Sequence, residues 1–527
     1  MINHLPGVCG TGKTEQLINN IELIKNTDTS TILWASLTNK LSEATCNRYK
    51  EKHPEHNATM ISSENCSSAR REILQQCTVI IDELPTLVGN YQRLKIPLQD
   101  ESVLGLAPYI EYEDSSFDGF QRIVVKEEMK SSAKQFAYDL LFNGDLNSDS
   151  VKAGNILMSG IHNSNGMYVS TADDWRLFEF FDGLDFIRKL RQLDSVWLLS
   201  ANLEGLFVEK LLRASGCTIT TDHALTHLNL PVTHPNTSNV EILPFLMNSS
   251  NTASSTFSSY FASLPSCKVI RDWTEDFDVH KLFNQWITSE FESNTFIYCK
   301  NKHTSPISHS DAIELPPMAQ GLNSYSHLNE VAFTPHLRPA PEHESAIKRL
   351  ASDIGINPQT LVDYYLRQTS HEVAYQFVSR ISFRNLERND SGSLLAEQPQ
   401  PKCRIIVPDM AHANYIHCMM PTASINTSGS YERVPVQASV EELAQRQVDN
   451  AARKAVKDAH KQTSDFSTLF TIHKLLESGL TAKDACKAMD ITPRTRRNWL
   501  SKYGDDWTDW LAEQELSLEL EEETEPS

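Results

Sequence analysis

The stretch PGVCGTGKTEQLI, Pro6 to Ile18, decides how this chain is read. Gly7 through Thr14 fit the pattern G-x-x-x-x-G-K-[S/T] without a gap. In that pattern glycines permit backbone geometries that turn successive N–H groups toward phosphate oxygens. The lysine reaches the outer phosphates and the hydroxyl holds Mg2+. The following EQLINNIELI has helical periodicity, so the loop is expected on a helix N-terminus, where aligned peptide dipoles favour anions. Gly7, Gly10, Thr11, Gly12, Lys13 and Thr14 are the expected ATP-binding residues. Upstream, MINHL has room for only a short strand at about 3.3 Å per residue.

A second segment supplies the other half of such a site. CTVIIDELP, Cys77 to Pro85, reads as a buried strand that delivers Asp82 and Glu83 to its C-terminal edge. Asp82 is the expected partner of Mg2+ alongside Thr14, and Glu83 the expected general base that polarises a water. STILWASLT (30–38) and VWLLSANL (196–203) read as further strands. Strands separated by helical stretches imply a parallel α/β sheet. Past Cys267, NTFIYCKNK (294–302), LNEVAFTP (328–335) and KCRIIVPD (402–409) read as strands of a second α/β region, with HEVAYQFVSRISFRNL (371–386) a helix before the last.

Taken in order, these segments resemble the motor core of superfamily 2 helicases of the DEAD/DEAH type, over roughly residues 1 to 420. Gly7–Thr14 resembles motif I, and Ser36–Thr45 motif Ia. Asp82-Glu83-Leu84-Pro85 resembles the acidic box, Ser200-Ala201-Asn202 motif III, and TFIYCKNK motif IV. Met318–Tyr325 resembles motif V, and Tyr375–Arg384 motif VI. The resemblance implies two RecA-like lobes with ATP and Mg2+ between them. Thr38, Asn39 and Lys40 would grip a nucleic-acid backbone, and Gln376, Arg380 and Arg384 would face the phosphates from the second lobe as arginine fingers do. Spaced at i, i+4 and i+8 on a helix, those three share one face. The sequence departs from the usual pattern at several positions: Phe383 stands where a second arginine is common, and Gln320, Asn323 and Asn202 replace the usual residues.

The C-terminal stretch FTIHKLLESGLTAKDACKAMDITPRTRRNWLSKYG (470–504) reads as three short helices with Thr481 as an N-cap and Pro493 opening the last. It resembles a helix-turn-helix module, which would set Arg494, Arg496 and Arg497 against DNA. Charge agrees. The chain's net charge is -20, but Asp505–Ser527 holds ten acidic and no basic residues, half of that excess. Phe466–Tyr503 holds seven Lys/Arg against three Asp/Glu, a local +4. The acidic end reads as a disordered tail that could recruit replication proteins.

The expected fold class is α/β. Lobe 1 spans 1–205 with an inserted subdomain at about 90–190, and lobe 2 spans 206–421. A linker over 422–464, an all-α helix-turn-helix module over 465–504 and an acidic tail over 505–527 follow. No uninterrupted apolar run of about eighteen residues occurs, and the N-terminus lacks a signal-peptide pattern. Ten scattered cysteines without a C-x-x-C pair fit a reducing compartment. A cytoplasmic protein away from membranes is expected, in a bacterial or phage-infected cell. The function expected is an ATP-dependent DNA helicase or translocase in replication of a phage, plasmid or other mobile element. Two alternatives stand beside it: a terminase-like packaging ATPase, and an ATP-switched DNA-binding regulator without motor activity.

Overall fold

A computed structural model covers residues 1–527. It describes the chain except residues 1, 24–30, 37–38, 55–56, 63–73, 76, 83–90, 98–104, 143–147, 163–164, 173–174, 182–186, 188–189, 222–229, 248–259, 264–268, 271–278, 293–294, 302–305, 318–323, 336, 338, 390–393, 435–447, 449–461, 464, 490–491 and 525–527. The chain divides into two units, Met1–Pro435 and Val436–Ser527.

The first unit opens with β1 (Ile2–Pro6), whose end feeds the glycine loop and α1 (Lys13–Asn19). β2 (Thr31–Ser36), α2 (Asn39–Lys52), β3 (Asn57–Ser62) and β4 (Cys77–Asp82) follow. An inserted subdomain comes next: β5 (Tyr91–Pro97), β6 (Ile110–Asp114), β7 (Phe120–Val125), α3 (Lys130–Phe142), α4 (Ser148–His162), β8 (Tyr168–Ala172) and β9 (Trp175–Phe181). Its five strands form a separate sheet in the order β5-β9-β8-β7-β6, all neighbours antiparallel. The chain then returns through β10 (Val196–Ser200), α5 (Phe207–Ala214) and β11 (Ile219–Thr221). Lobe 1 is thus a six-stranded, all-parallel sheet ordered β11-β1-β10-β4-β2-β3. Every residue of β4 and β10 is buried, as expected of a parallel sheet covered on both faces.

Lobe 2 holds β12 (Val240–Leu246), β13 (Tyr260–Ser263), β14 (Val269–Ile270), α6 (Val279–Glu290), β15 (Phe296–Cys299), β16 (Ala312–Glu314) and β17 (Glu330–Phe333). Helices α7 (Pro341–Asp353) and α8 (Pro358–Leu366) lead into a π-helical turn, Arg367–Glu372, and α9 (Val373–Val378). Then come β18 (Cys403–Asp409), α10 (Met410–Met419), β19 (Ser424–Ile425) and β20 (Tyr431–Val434). The main path of the sheet runs β14-β13-β20-β12-β18-β17-β15-β16, with β19 also on β12. Its central pairs are parallel, and β13 pairs antiparallel with β14 and β20 at one edge. The fold class is the expected one: α/β, with two RecA-like parallel-sheet lobes, an inserted subdomain and a small helical C-terminal region.

Three details differ from the expectations. The second sheet starts at β12, inside the expected lobe 2, and takes in β19 and β20 from the stretch expected as linker. Strand β12 contains Pro244, paired in register with Val407 in mid-sheet, a position proline usually avoids. The helix expected over 371–386 ends at Val378. Ser379 caps it, its hydroxyl donating to the Tyr375 carbonyl at 2.7 Å, and Ile381 is extended. Arg384 sits in a single 3-10 turn, Ser382–Arg384. Gln376, Arg380 and Arg384 therefore do not share one helical face. The apolar side chains of Ile381 and Phe383 are fully buried in the lobe 2 core, and their burial redirects the backbone past the helix end.

The third difference concerns packing. Helices α7 and α8 lie between lobe 2 strands in sequence. Yet Ala346, Ile347, Leu350, Leu361, Val362 and Tyr365 share one core with Leu33, Val79, Val196 and Phe207 of lobe 1. The chain crosses to lobe 1 after β17 and returns through the π-helical turn, since Val373, Ala374 and Phe377 of α9 belong to the lobe 2 core. Each large side chain buried this way contributes about 1.5–3 kcal/mol, so the two helices belong to the lobe 1 core.

In the second unit a helix over 465–477 precedes α12 (Ala482–Ala488) and α13 (Pro493–Thr524); the first of these we call α11. Gly479 has φ +93° in the first connection. Thr481 is the N-cap expected, its hydroxyl accepting from Asp484 N–H. Ile472, Ala485 and Cys486 are buried together, while Phe466, Leu469, Tyr503 and Trp507 form a second cluster. The acidic stretch expected as a disordered tail is helical to Thr524, with a break in helical geometry at Gly504. Trp507 and Trp510 pack on Phe466, which gives the start of that stretch an apolar anchor. Replacing Thr481 with Ala is expected to cost about 1 kcal/mol of this unit's stability, the usual value of an N-cap. Chemical denaturation followed by Trp fluorescence checks it.

Candidate active site

The expected loop is built as its sequence requires. Gly10 and Gly12 both take left-handed backbone conformations, φ +84° and +69°, and Gly12 caps α1. Thr11 is fully buried, its hydroxyl donating to the Val8 carbonyl at 2.9 Å. The Lys13 ammonium folds over the loop and donates to the carbonyls of Gly7 (2.5 Å) and Val8 (3.3 Å). Beside it the Thr14 hydroxyl donates to Asp82 Oδ2 at 2.8 Å, joining the start of α1 to the end of β4. Asp82 is 5% exposed. Burial pushes its pKa up, opposed by the Thr14 hydrogen bond and the Lys13 charge. A hydroxyl and a carboxylate in contact at a helix N-terminus are the oxygen donors a hard divalent cation takes, so the pair fits Mg2+. On β1, behind the loop, His4 Nε2 lies 2.8 Å from the Ser200 hydroxyl. Burial and then Lys13 push the His4 pKa down to about 4, so the ring is neutral.

Lobe 2 reaches this loop through the segment 375–388. The Tyr375 hydroxyl accepts a hydrogen bond from Cys9 N–H at 3.1 Å. The Arg384 backbone covers Gly10 so closely that any β-carbon there would collide with the Arg384 carbonyl. Arg388 donates to the Thr11 carbonyl. The segment joining the lobes runs beneath: Val8 N–H donates to the Pro231 carbonyl at 3.0 Å, and Asn236 donates to the Phe383 carbonyl at 2.7 Å.

Among the expected residues, Lys13, Thr14, Asp82 and Arg384 come together here. Arg380 is 5% exposed, just past the end of α9, and its Nε has no hydrogen-bond partner among the described residues. Gln376 donates to Glu372 at 3.0 Å. Glu372 also accepts from the Tyr415 hydroxyl (2.5 Å), which in turn lies 3.4 Å from the Asn202 amide of lobe 1. Gln376 is thus linked to the segment resembling motif III. Glu83, Thr38, Gln320 and Asn323 lie outside the described residues, as do the side chains of Asn39, Lys40 and Arg494. In the separate C-terminal unit Arg497 is exposed and Arg496 partly so.

Reading the sequence missed Tyr375, His234 and Arg388. Tyr375 stands at the head of the motif VI stretch but reads as a core aromatic. His234 sits in an irregular THPNTSN segment. Arg388 comes four residues after the last arginine of that stretch.

No protein-family model matches the sequence, and no curated protein matches it. Two solved structures align over most of their length. One named "XPD_APO" has a TM-score of 0.42 at 11% identity, covering 81% of this chain and 97% of that one. One named "XPD_Helicase" has a TM-score of 0.36 at 9% identity, covering 81% and 91%. Both scores are too low to assign a function. Among the described residues no helix is long and apolar enough to cross a membrane. The site itself is a glycine-rich loop on one parallel sheet, covered by arginine-bearing backbone from the next.

Proposed function

We propose that this protein is an ATP-dependent DNA helicase or translocase. One observation supports that reading above the others: the Tyr375–Arg388 segment of lobe 2 lies directly on the Gly7–Thr14 loop of lobe 1. A nucleotide bound there touches both lobes, so its hydrolysis changes how they meet. In this reading Lys13 neutralises the outer phosphates, and Thr14 and Asp82 hold Mg2+, which supplies electrostatic stabilisation of the transferring phosphoryl group. Glu83 orients and deprotonates the attacking water. Arg384, with Arg380, offsets charge that develops in the transition state. Thr38, Asn39 and Lys40 grip a DNA backbone, and Arg494, Arg496 and Arg497 bind duplex DNA through the C-terminal module. Action in replication of a phage, plasmid or other mobile element, with the acidic end recruiting replication proteins, belongs to the same proposal.

The test is ATP turnover with single-stranded DNA, duplex DNA, RNA or none, run beside strand displacement. Wild type is expected to be stimulated by DNA. Arg384→Ala is expected to lose about 10³-fold in stimulated turnover, as for an arginine finger. Turnover indifferent to DNA and to Arg384→Ala would rule the motor out. ATP-dependent DNA binding without translocation would favour a switch, and metal-dependent DNA cleavage a packaging enzyme.

A further inference from the structure

Tyr375 is fully buried on α9, yet its hydroxyl reaches the loop of the other lobe. It stands 3.1 Å from the Cys9 nitrogen and 3.0 Å from His234 Nε2. The Cys9 N–H donates to it, as a loop N–H would donate to a phosphate oxygen. His234 is 1% exposed, and its Nδ1 has no hydrogen-bond partner among the described residues. A buried N–H without an acceptor is rarer than a bare lone pair. The ring proton therefore belongs on Nε2, from which it is donated to the Tyr375 oxygen. Burial, then the charges of Lys13 and Arg384, push the His234 pKa down to about 3, so the ring carries that single proton.

This assignment decides what Tyr375 can offer. A phenol oxygen that receives two N–H donors has its acceptor capacity filled, and its own O–H must donate. The group beside it is the Cys9 thiol, a weak acceptor. A phosphate oxygen accepts far more strongly. Position agrees as well. Cys9, whose N–H meets the Tyr375 hydroxyl, directly follows Val8, whose carbonyl accepts from the Lys13 ammonium, and that lysine type reaches the outer phosphates of a bound nucleotide.

We propose that Tyr375, oriented by His234, donates its hydroxyl to the outermost phosphate of a nucleoside triphosphate, so that the site distinguishes triphosphate from diphosphate. This rests on the nucleotide-binding reading above. It makes Tyr375 a ligand-binding residue supplied by lobe 2 and His234 a positioning residue. Lobe 2 then senses the phosphate that hydrolysis removes, through a neutral donor separate from the arginines.

The experiment measures binding of ATPγS and of ADP, each with Mg2+, to the full chain by calorimetry. Tyr375→Phe keeps the ring that packs in the lobe 2 core and removes only the hydroxyl. It is expected to weaken ATPγS about tenfold, the value of one hydrogen bond to a charged acceptor, and to leave ADP within about twofold. His234→Gln, which retains an N–H donor, is expected to preserve the wild-type ratio, and His234→Leu to shift it as Tyr375→Phe does. A Tyr375→Phe protein with an unchanged ATPγS-to-ADP ratio overturns the proposal, whether both affinities hold or both fall together, since packing alone then explains the residue. Wild-type protein that binds neither nucleotide overturns the nucleotide-binding reading itself.

Discussion

Lys13→Ala is expected to reduce ATP turnover by about 10²–10³-fold, the usual effect of removing one preorganised group that meets developing charge. The structure explains why the effect should fall on chemistry and binding more than on folding. The ammonium's described partners are two loop carbonyls, those of Gly7 and Val8, rather than a buried carboxylate. Its removal takes compensating charge from the buried Asp82, which keeps its hydrogen bond from Thr14. The loop also retains the Thr11–Val8 hydrogen bond, the Thr14–Asp82 hydrogen bond and the contact of Val8 with Pro231. Thermal melting of the variant should therefore stay close to wild type while turnover collapses. A variant that hydrolyses ATP at the wild-type rate would show that Gly7–Thr14 is not where the phosphates bind.

Arg349→Ala is expected to have the largest effect on stability. Arg349, on α7, pairs with Glu179, on β9 of the inserted subdomain, and both side chains are almost fully buried. The guanidinium also lies over the Phe120 ring, 3.9 Å from its centroid. Removing one partner of a buried pair leaves the other charge uncompensated, at about 3–5 kcal/mol. Glu179 keeps the Tyr91 hydroxyl and, 4.0 Å away, the half-exposed Arg93, so the lower end of that range is expected. The loss should act locally, on docking of the subdomain. A neighbouring contact shares the load: Asp353 accepts from Tyr168 at 2.6 Å and from Gly166 N–H at 2.7 Å. Hydrogen exchange should accelerate across β5, β8 and β9 while the protection of β1 and β4 holds. The double variant Glu179→Leu with Arg349→Met, which removes both charges and keeps apolar bulk, should recover most of the loss. If the single variant leaves exchange in the subdomain unchanged, the pair does not hold it in place.

Much of this architecture can be read from short stretches. The loop depends on glycines at fixed intervals, and Gly10 and Gly12 take the left-handed conformations that make those glycines necessary. Strands β4 and β10 read as strands because both faces are covered and every position is apolar or small until the edge, where Asp82 and Ser200 begin the polar site. The Thr481 cap is also local, set by a hydroxyl three residues before the N–H it accepts. Strand β12 is harder to read because Glu241 and Pro244 interrupt its apolar run.

The arginine helix marks the limit of such reading. Periodicity from Gln376 to Arg384 describes one face of a helix, but the helix stops at Val378 because burying Ile381 and Phe383 gains more than continuing it. Which lobe 2 atoms then meet the loop follows from that break. Tyr375 and His234 are 141 residues apart and meet only in the folded chain. Helices α7 and α8, placed in sequence among lobe 2 strands, pack on lobe 1 because its core offers the apolar surface they cover. The sequence by itself determined the backbone of the glycine loop and the layering of the lobes, since both rest on backbone geometry and hydrophobic pattern within a few residues. Tertiary structure alone decided which side chains of one lobe stand over the glycine loop of the other, because burial of apolar groups from distant segments, and not local spacing, sets where the chain turns.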